Sequence, residues 1–255
     1  MSNIGLVLSG GGIRGIAHLG LLKALDELGV KPCAISGVSA GAIIGAMYAA
    51  GKSPEEILAI GKSNINFGFS KLLWRRGGLF SKEFIHKLLL ENISHNSFEG
   101  LRIPLFVNAT DFIQNKTVFF SEGALIPCLE ASSSVPIIFS AAELGSKRLV
   151  DGGLLNNFPI EPLMGICDKI IGSHVNKLQE FSSPQIKFSR FAIMERCYHM
   201  SIANSVYSKA HNCDLFIEPT LFGFGMFDTK RADQIFEVGY QTAIKQKNEI
   251  MALMN

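Results

Sequence analysis

Short apolar runs alternate with helical patterns along the chain. The runs are typical of buried strands and cover residues 4–9, 33–36, 105–109, 170–175 and 215–217, each followed by a helical pattern. Residues 117–121, after Asn115 and Lys116, are predicted to return as the second strand of a hairpin. Strands that alternate with helices favour parallel pairing. The pattern therefore predicts a three-layer α/β/α fold with a mainly parallel central sheet.

Several helix ends are also predicted. A first helix is expected from about residue 15 to 27, ended by Gly29, and a second from just after Ser39 to Gly51. The third has a start signal, because Ser53, Pro54 and Glu56 form a capping box with proline in the first turn. A final helix is expected over residues 229–251.

Length and composition favour one globular domain. The 255 residues are 47% hydrophobic and 18% charged, which predicts a single domain over residues 1–255 with motifs in 4–175 and a remainder, 176–255, that completes the fold and pocket. A net charge of +2 gives no reason to expect nucleic acid as a partner. Nothing indicates an oligomeric state.

The cysteine pattern and the lack of a recognisable targeting signal predict where in the cell the protein is found. The five cysteines are odd in number and form no Cys-x-x-Cys pair, so reduced thiols and a cytoplasmic protein are expected. The first residues lack a signal peptide, and no apolar run reaches the roughly 18–20 residues of a membrane span. Peripheral membrane contact stays open.

A serine lies within residues 37–41, which match Gly-x-Ser-x-Gly around Ser39. A serine on a tight turn from strand to helix needs small residues two positions away on either side. The following helix directs its first N–H groups and positive dipole end at developing negative charge. Ser39 is therefore a candidate nucleophile, against the alternative of an ordinary glycine-rich loop.

A glycine loop, Gly10 to Gly12 with Gly15, follows the first strand. It matches Gly-x-Gly-x-x-Gly, but a dinucleotide site needs a carboxylate near the end of the second strand, and residues 31–38 contain none. The missing Gly-Lys-Ser/Thr argues against a nucleotide P-loop. We therefore expect Gly10, Gly11 and Gly12 to form an oxyanion hole. Arg14 is a candidate substrate-binding residue that can attract a phosphate headgroup or bind carbonyls within the loop.

Asp151 ends a strand and precedes two glycines, which places its carboxylate on a sharp turn. Together, the glycine loop, the Ser39 turn and Asp151-Gly152-Gly153 resemble the patatin-like phospholipase family. Residues 17–20, 131–136 and 157–159 also resemble it, so the likeness covers about residues 4–175. The resemblance implies hydrolysis of lipid or phospholipid acyl esters by a Ser39–Asp151 dyad, with no metal and no cofactor.

Several alternatives stay open. A Ser-His-Asp triad would use a histidine after Asp151, which makes His174, His199 and His211 candidates, whereas His18 is expected to be a packed histidine. An acyltransferase would pass the acyl group to an alcohol or thiol, and a non-catalytic module would bind a lipid or anion on the glycine loop. Two aromatic segments, 67–76 and 222–227, are candidates for membrane contact or for pocket wall.

Overall fold

The computed structural model describes residues 2–64, 82–136, 139–180, 189–225 and 228–254. Its strands form one eight-stranded mixed sheet, with these bounds: β1 Ile4–Leu8, β2 Ala34–Gly37, β3 Leu105–Asp111, β4 Lys116–Phe120, β5 Ala142–Leu144, β6 Lys147–Asp151, β7 Lys169–Ser173 and β8 Leu215–Ile217. The α-helices are α1 Ile16–Glu27, α2 Ala40–Ala49, α3 Pro54–Asn64, α4 Lys82–Asn92, α5 Leu125–Ser132, α6 Arg190–Ala210, α7 Ala232–Lys245 and α8 Lys247–Ala252. Short 3₁₀ turns at Gly12–Gly15 and Gly152–Leu154 flank the glycine loop and the Asp151 turn.

The sheet has a parallel part and an antiparallel extension. Strands β3, β2, β1, β7 and β8 pair in parallel in that order, which confirms the predicted fold class. The hairpin β3–β4 confirms the predicted strand return, although β3 is followed by a strand rather than by a helix. β6 pairs antiparallel with β3, and β5 with β6.

Both faces of the sheet are covered. Leu6 and Leu8 of β1 join the larger core cluster with α1 and α2, whereas Val7 points to the other face. There it packs with Phe158 and with Val206 of α6. This alternation is what a central strand buried on both faces requires. In the part of the chain that the structure describes, no helix is both long and apolar enough to cross a membrane.

Most predicted helix ends are confirmed, and one prediction is wrong. Ser53 and Glu56 exchange two hydrogen bonds, with the Ser53 N–H donating to Glu56 Oε2 at 2.7 Å and the Glu56 N–H to Ser53 Oγ at 3.2 Å. Gly29 takes a positive φ of 75° after α1. The final helix is not continuous, because the chain leaves the helical conformation at Gln246 and restarts as α8, which buries Ile250 fully.

Candidate active site

A junction between β2 and β6 lies at the carboxyl edge of the parallel strands. β4 pairs with β3 from Val107 to Asp111, so β2 and β6 must share the other edge of β3. β2 runs parallel to β3 up to Gly37, opposite Val107, and β6 runs antiparallel up to Asp151, opposite Ala109. The carboxyl ends of the two strands therefore face each other across two residues of β3, about 7 Å. This junction brings distant segments of the chain together.

Ser39 lies on a strained turn between β2 and α2. Its φ is 54° and its ψ is −125°, a region that residues with a side chain rarely occupy. A Cβ at Gly37 would lie 2.7 Å from the carbonyl oxygen of Gly41, and a Cβ at Gly41 would lie 2.4 Å from that of Leu8. Both glycines are therefore required by close backbone packing, as the sequence motif predicts.

Asp151 lies beside the serine side chain and is buried. The Ser39 side chain is close enough to the Asp151 carboxylate to lower its pKa, and the Gly153 N–H donates to Asp151 Oδ1 at 2.7 Å. Asp151 is only 2% exposed. Burial raises the pKa of its carboxyl to about 6, and this effect outweighs the interactions with Ser39 and Gly153, which lower the pKa. The carboxylate is thus a stronger base than an ordinary aspartate.

The end of α5 and the residues after it hold Ser39 and Asp151 in place. Ser132 Oγ accepts a hydrogen bond from the Ser39 N–H at 2.9 Å. The Ser134 carbonyl accepts one from the Asp151 N–H, also at 2.9 Å. Ser132 is fully buried and Ser134 is 1% exposed. The serine-rich stretch 131–136 therefore fixes the backbone on both sides of the Ser39–Asp151 pair.

The glycine loop has a fixed peptide orientation. Asn176 Nδ2 donates to the Gly10 carbonyl at 2.7 Å, and the Arg14 N–H donates to the Gly11 carbonyl at 3.2 Å. C=O and N–H point in opposite directions in a trans peptide. These bonds therefore turn the N–H group of Gly11 away from the Asn176 side chain and that of Gly12 away from the Arg14 N–H. Among the described residues, neither N–H has a hydrogen-bond acceptor. Two donors are therefore free beside Ser39.

A pocket opens beside Ser39, and its walls come from several parts of the chain. The lining residues are Gly10, Gly11, Gly12, Ser39, Val135, Asp151, Asn157, Asn176, Tyr198 and His199. Asn176 and Tyr198 belong to no sequence motif, and Asn157 belongs only to the residues that follow the Asp151 motif. The Asn157 side chain is buried, and its Nδ2 finds no partner in the described structure. A substrate oxygen in the pocket can accept from it.

Arg14 lies behind the glycine loop and is not among the lining residues. Its Nε donates to the Phe224 carbonyl at 2.8 Å, and its Nη1 lies 3.5 Å from Asn176 Oδ1 and 3.4 Å from His199 Nδ1. These contacts bind a carbonyl, as one sequence alternative proposed, but the carbonyl belongs to a distant segment. Contact with a substrate headgroup stays a prediction.

None of the candidate histidines for a triad takes the place of Asp151. His174 is buried, and its Nδ1 pairs with Glu218 at 2.9 Å. His199 lines the pocket, but burial, the Arg14 charge and His174 lower the pKa of its ring to about 3. His211 is exposed in the turn after α6. His18 is fully buried between the Ser173 hydroxyl and the Ser9 carbonyl, each at 2.9 Å, as expected of a packed histidine.

Of the two aromatic segments considered for membrane contact, residues 67–76 lie outside the described residues, as do Met226 and Phe227. Phe222 is 39% exposed. Phe224 is half-buried, and the Arg231 guanidinium lies 4.5 Å from the centre of its ring. Phe224 therefore belongs to the segment whose backbone Arg14 binds.

The fold and the site together define a class of protein. An α/β sheet with a serine on a strained turn, next to a buried carboxylate and to glycine N–H groups, is the arrangement expected of a serine acyl hydrolase. The chain belongs to the patatin-like phospholipase family, whose sequence profile matches residues 6–164. This confirms the family that the three motifs indicated.

Relatives extend the likeness beyond the profile. An uncharacterized NTE family protein of Mycobacterium bovis is 32% identical over 166 residues, which cover 64% of this chain and 46% of that protein. Lysophospholipase nte1 of Aspergillus fumigatus is 26% identical over 275 aligned residues, covering 93% of this chain and 18% of that protein. The chain thus spans less than half the length of these relatives.

Solved structures share the fold at low identity. VipD from Legionella pneumophila matches with a TM-score of 0.54 at 15% identity, covering 97% of this chain and 67% of that one. Human GIVD cytosolic phospholipase A2 matches with a TM-score of 0.56 at 10% identity, covering 99% of this chain and 60% of that one. These likenesses agree with the α/β architecture observed in the structure.

Proposed function

We propose that this protein hydrolyses fatty-acyl esters of lipids, with Ser39 as nucleophile and Asp151 as base. The observation that carries the proposal is the placement of Ser39, on its strained turn, beside the buried Asp151 carboxylate in one pocket, close enough to lower the pKa of that carboxyl. Membership in the patatin-like phospholipase family supports a lipid substrate. Because one relative is named a lysophospholipase, a lysophospholipid is the first substrate to test.

The geometry supports a two-step reaction. Ser39 Oγ attacks the ester carbonyl carbon while its proton moves to Asp151. The tetrahedral oxyanion accepts hydrogen bonds from the Gly11 and Gly12 N–H groups, in the hole formed by Gly10 to Gly12. The protonated Asp151 then gives its proton to the leaving alkoxide. A water molecule, deprotonated by Asp151, then attacks the acyl-serine carbonyl. The C–O bond to Ser39 breaks, Asp151 returns the proton to Ser39 Oγ, and the fatty acid leaves.

The raised pKa of Asp151 suits both parts of this role. An aspartate with an ordinary pKa near 3.8 is a weak base toward a hydroxyl, whereas burial raises this pKa to about 6. Above pH 6 the group is deprotonated and ready to accept the serine proton. Its conjugate acid is also weak enough to hold that proton until the leaving group takes it.

The test is fatty-acid release from lysophosphatidylcholine and from diacyl phospholipids. Ser39→Ala and Asp151→Asn are each expected to lower the rate at least about a thousandfold, because nucleophile and base act as one unit. Asp214→Asn is the control: Asp214 precedes β8 at the opposite edge of the sheet, where its carboxylate accepts from the Ile170 N–H at 2.8 Å, and this variant should keep its activity. Full activity of Asp151→Asn would contradict the dyad.

A further inference from the structure

Two hairpin turns project from the carboxyl edge of the sheet, above the candidate active site. The turn after β3 begins at Phe112, three residues beyond Ala109, which lies opposite Asp151. At about 3.3 Å per residue, this turn stands about 10 Å beyond Asp151. The β5–β6 turn lies beside it, since the Phe112 N–H donates to the Arg148 carbonyl at 2.9 Å. We call these two turns, residues 112–115 and 145–148, the hairpin tip.

The hairpin tip exposes two large apolar side chains on an ordered backbone. Phe112 is 61% exposed and Ile113 is 63% exposed. The buried carboxylate of Asp111 accepts hydrogen bonds from the N–H groups of Ile113 and Gln114, each at 3.0 Å. A turn held in this way keeps both apolar side chains in water, where they lose the free energy that burial would give. Apolar residues at a protruding tip are typical of contact with a second phase.

Cations surround the apolar tip. Lys116, Lys147 and Arg148 lie at the two turns, and Lys116 and Arg148 are exposed. Two carboxylates lie at the same turns: Glu143 is exposed and pairs with Arg148 at 3.5 Å, and Asp111 is buried beneath the tip. Positive charge therefore exceeds negative charge around Phe112 and Ile113. This combination complements a surface that is apolar inside and negatively charged at its headgroups.

We propose that the hairpin tip is a membrane-docking surface, in which Phe112 and Ile113 enter the lipid interface while Lys116, Lys147 and Arg148 contact anionic headgroups. The choice of a lipid surface rests on the proposed function, because the tip stands on the same edge of the sheet as Ser39 and Asp151. Docking there holds the pocket mouth near the bilayer. The same apolar tip packed against a second copy of the chain is the competing occupant.

Vesicle flotation with the Ser39→Ala protein tests the docking without hydrolysis of the lipid. The vesicles contain phosphatidylcholine, alone or with an equal share of phosphatidylserine. Phe112→Ser with Ile113→Ser is expected to weaken binding at least about tenfold, because the double variant removes two apolar side chains from the interface. Lys116→Gln with Arg148→Gln is expected to remove most of the gain that phosphatidylserine gives.

A matched control comes from the opposite edge of the sheet. Met164 and Ile166 are 51% and 55% exposed, and they precede the amino end of β7. Met164→Ser with Ile166→Ser should leave vesicle binding unchanged. The proposal is overturned if the Ser39→Ala protein does not float with either kind of vesicle, or if the tip variant binds vesicles as well as the control variant does. It is also overturned if sedimentation shows that the tip substitutions convert a dimer to a monomer while vesicle binding is unchanged.

A water-soluble short-chain ester separates docking from catalysis. In this assay Ser39 is intact. The wild-type protein and the Phe112→Ser, Ile113→Ser variant should hydrolyse the ester at equal rates without vesicles, because the tip does not line the pocket. Loss of this activity in the tip variant would overturn the proposal, since it would place the tip in the site itself. If the wild type fails to hydrolyse the ester while flotation depends on the tip, the proposed function fails and the docking surface stands.

Discussion

Asp151 is a buried carboxylate, and its charged form is costly in the folded protein. Its pKa is raised from 3.8 to about 6 by burial. The folded protein therefore binds a proton at this group between about pH 4 and 6, where the unfolded chain has released it. Stability from this group is present below pH 4 and is lost as the pH rises through 6. Catalytic competence and stability thus have opposite pH requirements here.

Asp151→Asn should therefore be more stable than the wild type at neutral pH, because the amide carries no charge to bury. The shift of about two pKa units corresponds to at most about 3 kcal/mol. Urea unfolding of both proteins from pH 4 to 8 measures this difference, which should grow as the pH rises to 6 and then stay constant. A difference that does not change with pH would contradict the raised pKa.

At the same scale, sequence motifs predicted the glycines of the serine turn. Gly37 and Gly41 are recognisable because close backbone packing, within the turn at Gly37 and against Leu8 at Gly41, forbids a Cβ at either position. Asn176 and Tyr198 escaped prediction because their roles depend on contacts across the fold. Asn176 acts through the Gly10 carbonyl, 166 positions away in sequence, and Tyr198 is brought to the pocket only by the packing of α6.

Among the elements, α1 and α7 pack with their backbones in contact. A Cβ at Gly239 would lie 2.0 Å from the Ala17 carbonyl oxygen, and one at Gly20 would lie 2.2 Å from that of Phe236. Both contacts are with backbone atoms, which cannot rotate away. α1 begins just after the glycine loop, so this packing also supports the loop from behind.

Gly239→Ala should force the two helices apart and lower the free energy of unfolding by at least about 2 kcal/mol. Gly61→Ala is the control, because Gly61 is also inside a helix but has nothing within 4 Å of the added Cβ. That control should gain about 0.5–1 kcal/mol from better helix propensity. Thermal or urea unfolding of the three proteins decides, and equal stability of both variants would contradict the close packing.

The strands were predictable to different degrees. The parallel strands appear in the sequence as continuous apolar runs because both their faces are buried. The position of β6 was not predictable, because nothing local tells that it shares one edge of β3 with β2. The bounds of helix α6 were also not predicted, since its mixed polar and apolar residues give a weak helical pattern. Its inner face contributes His199 and Val206, while Ile193 and Met200 are about half exposed.

Across the whole molecule, the separate local predictions become one site only through topology. The glycine loop follows β1, the Ser39 turn follows β2, and Asp151 arrives from the opposite direction at the end of β6. The three sequence motifs, which occur in the order typical of the family, thus meet at one junction in the sheet. The chain also spans less than half the length of the relatives described above.

The pH dependence of the rate at which a fluorophosphonate labels Ser39 tests the Ser39–Asp151 dyad most directly. The labelling rate should rise with pH, reach half its maximum near pH 6 and then level off, because the deprotonated Asp151 activates the serine. His199→Gln should leave the midpoint unchanged. A midpoint near the ordinary histidine value that disappears in His199→Gln, or labelling that persists in Asp151→Asn, would contradict the dyad.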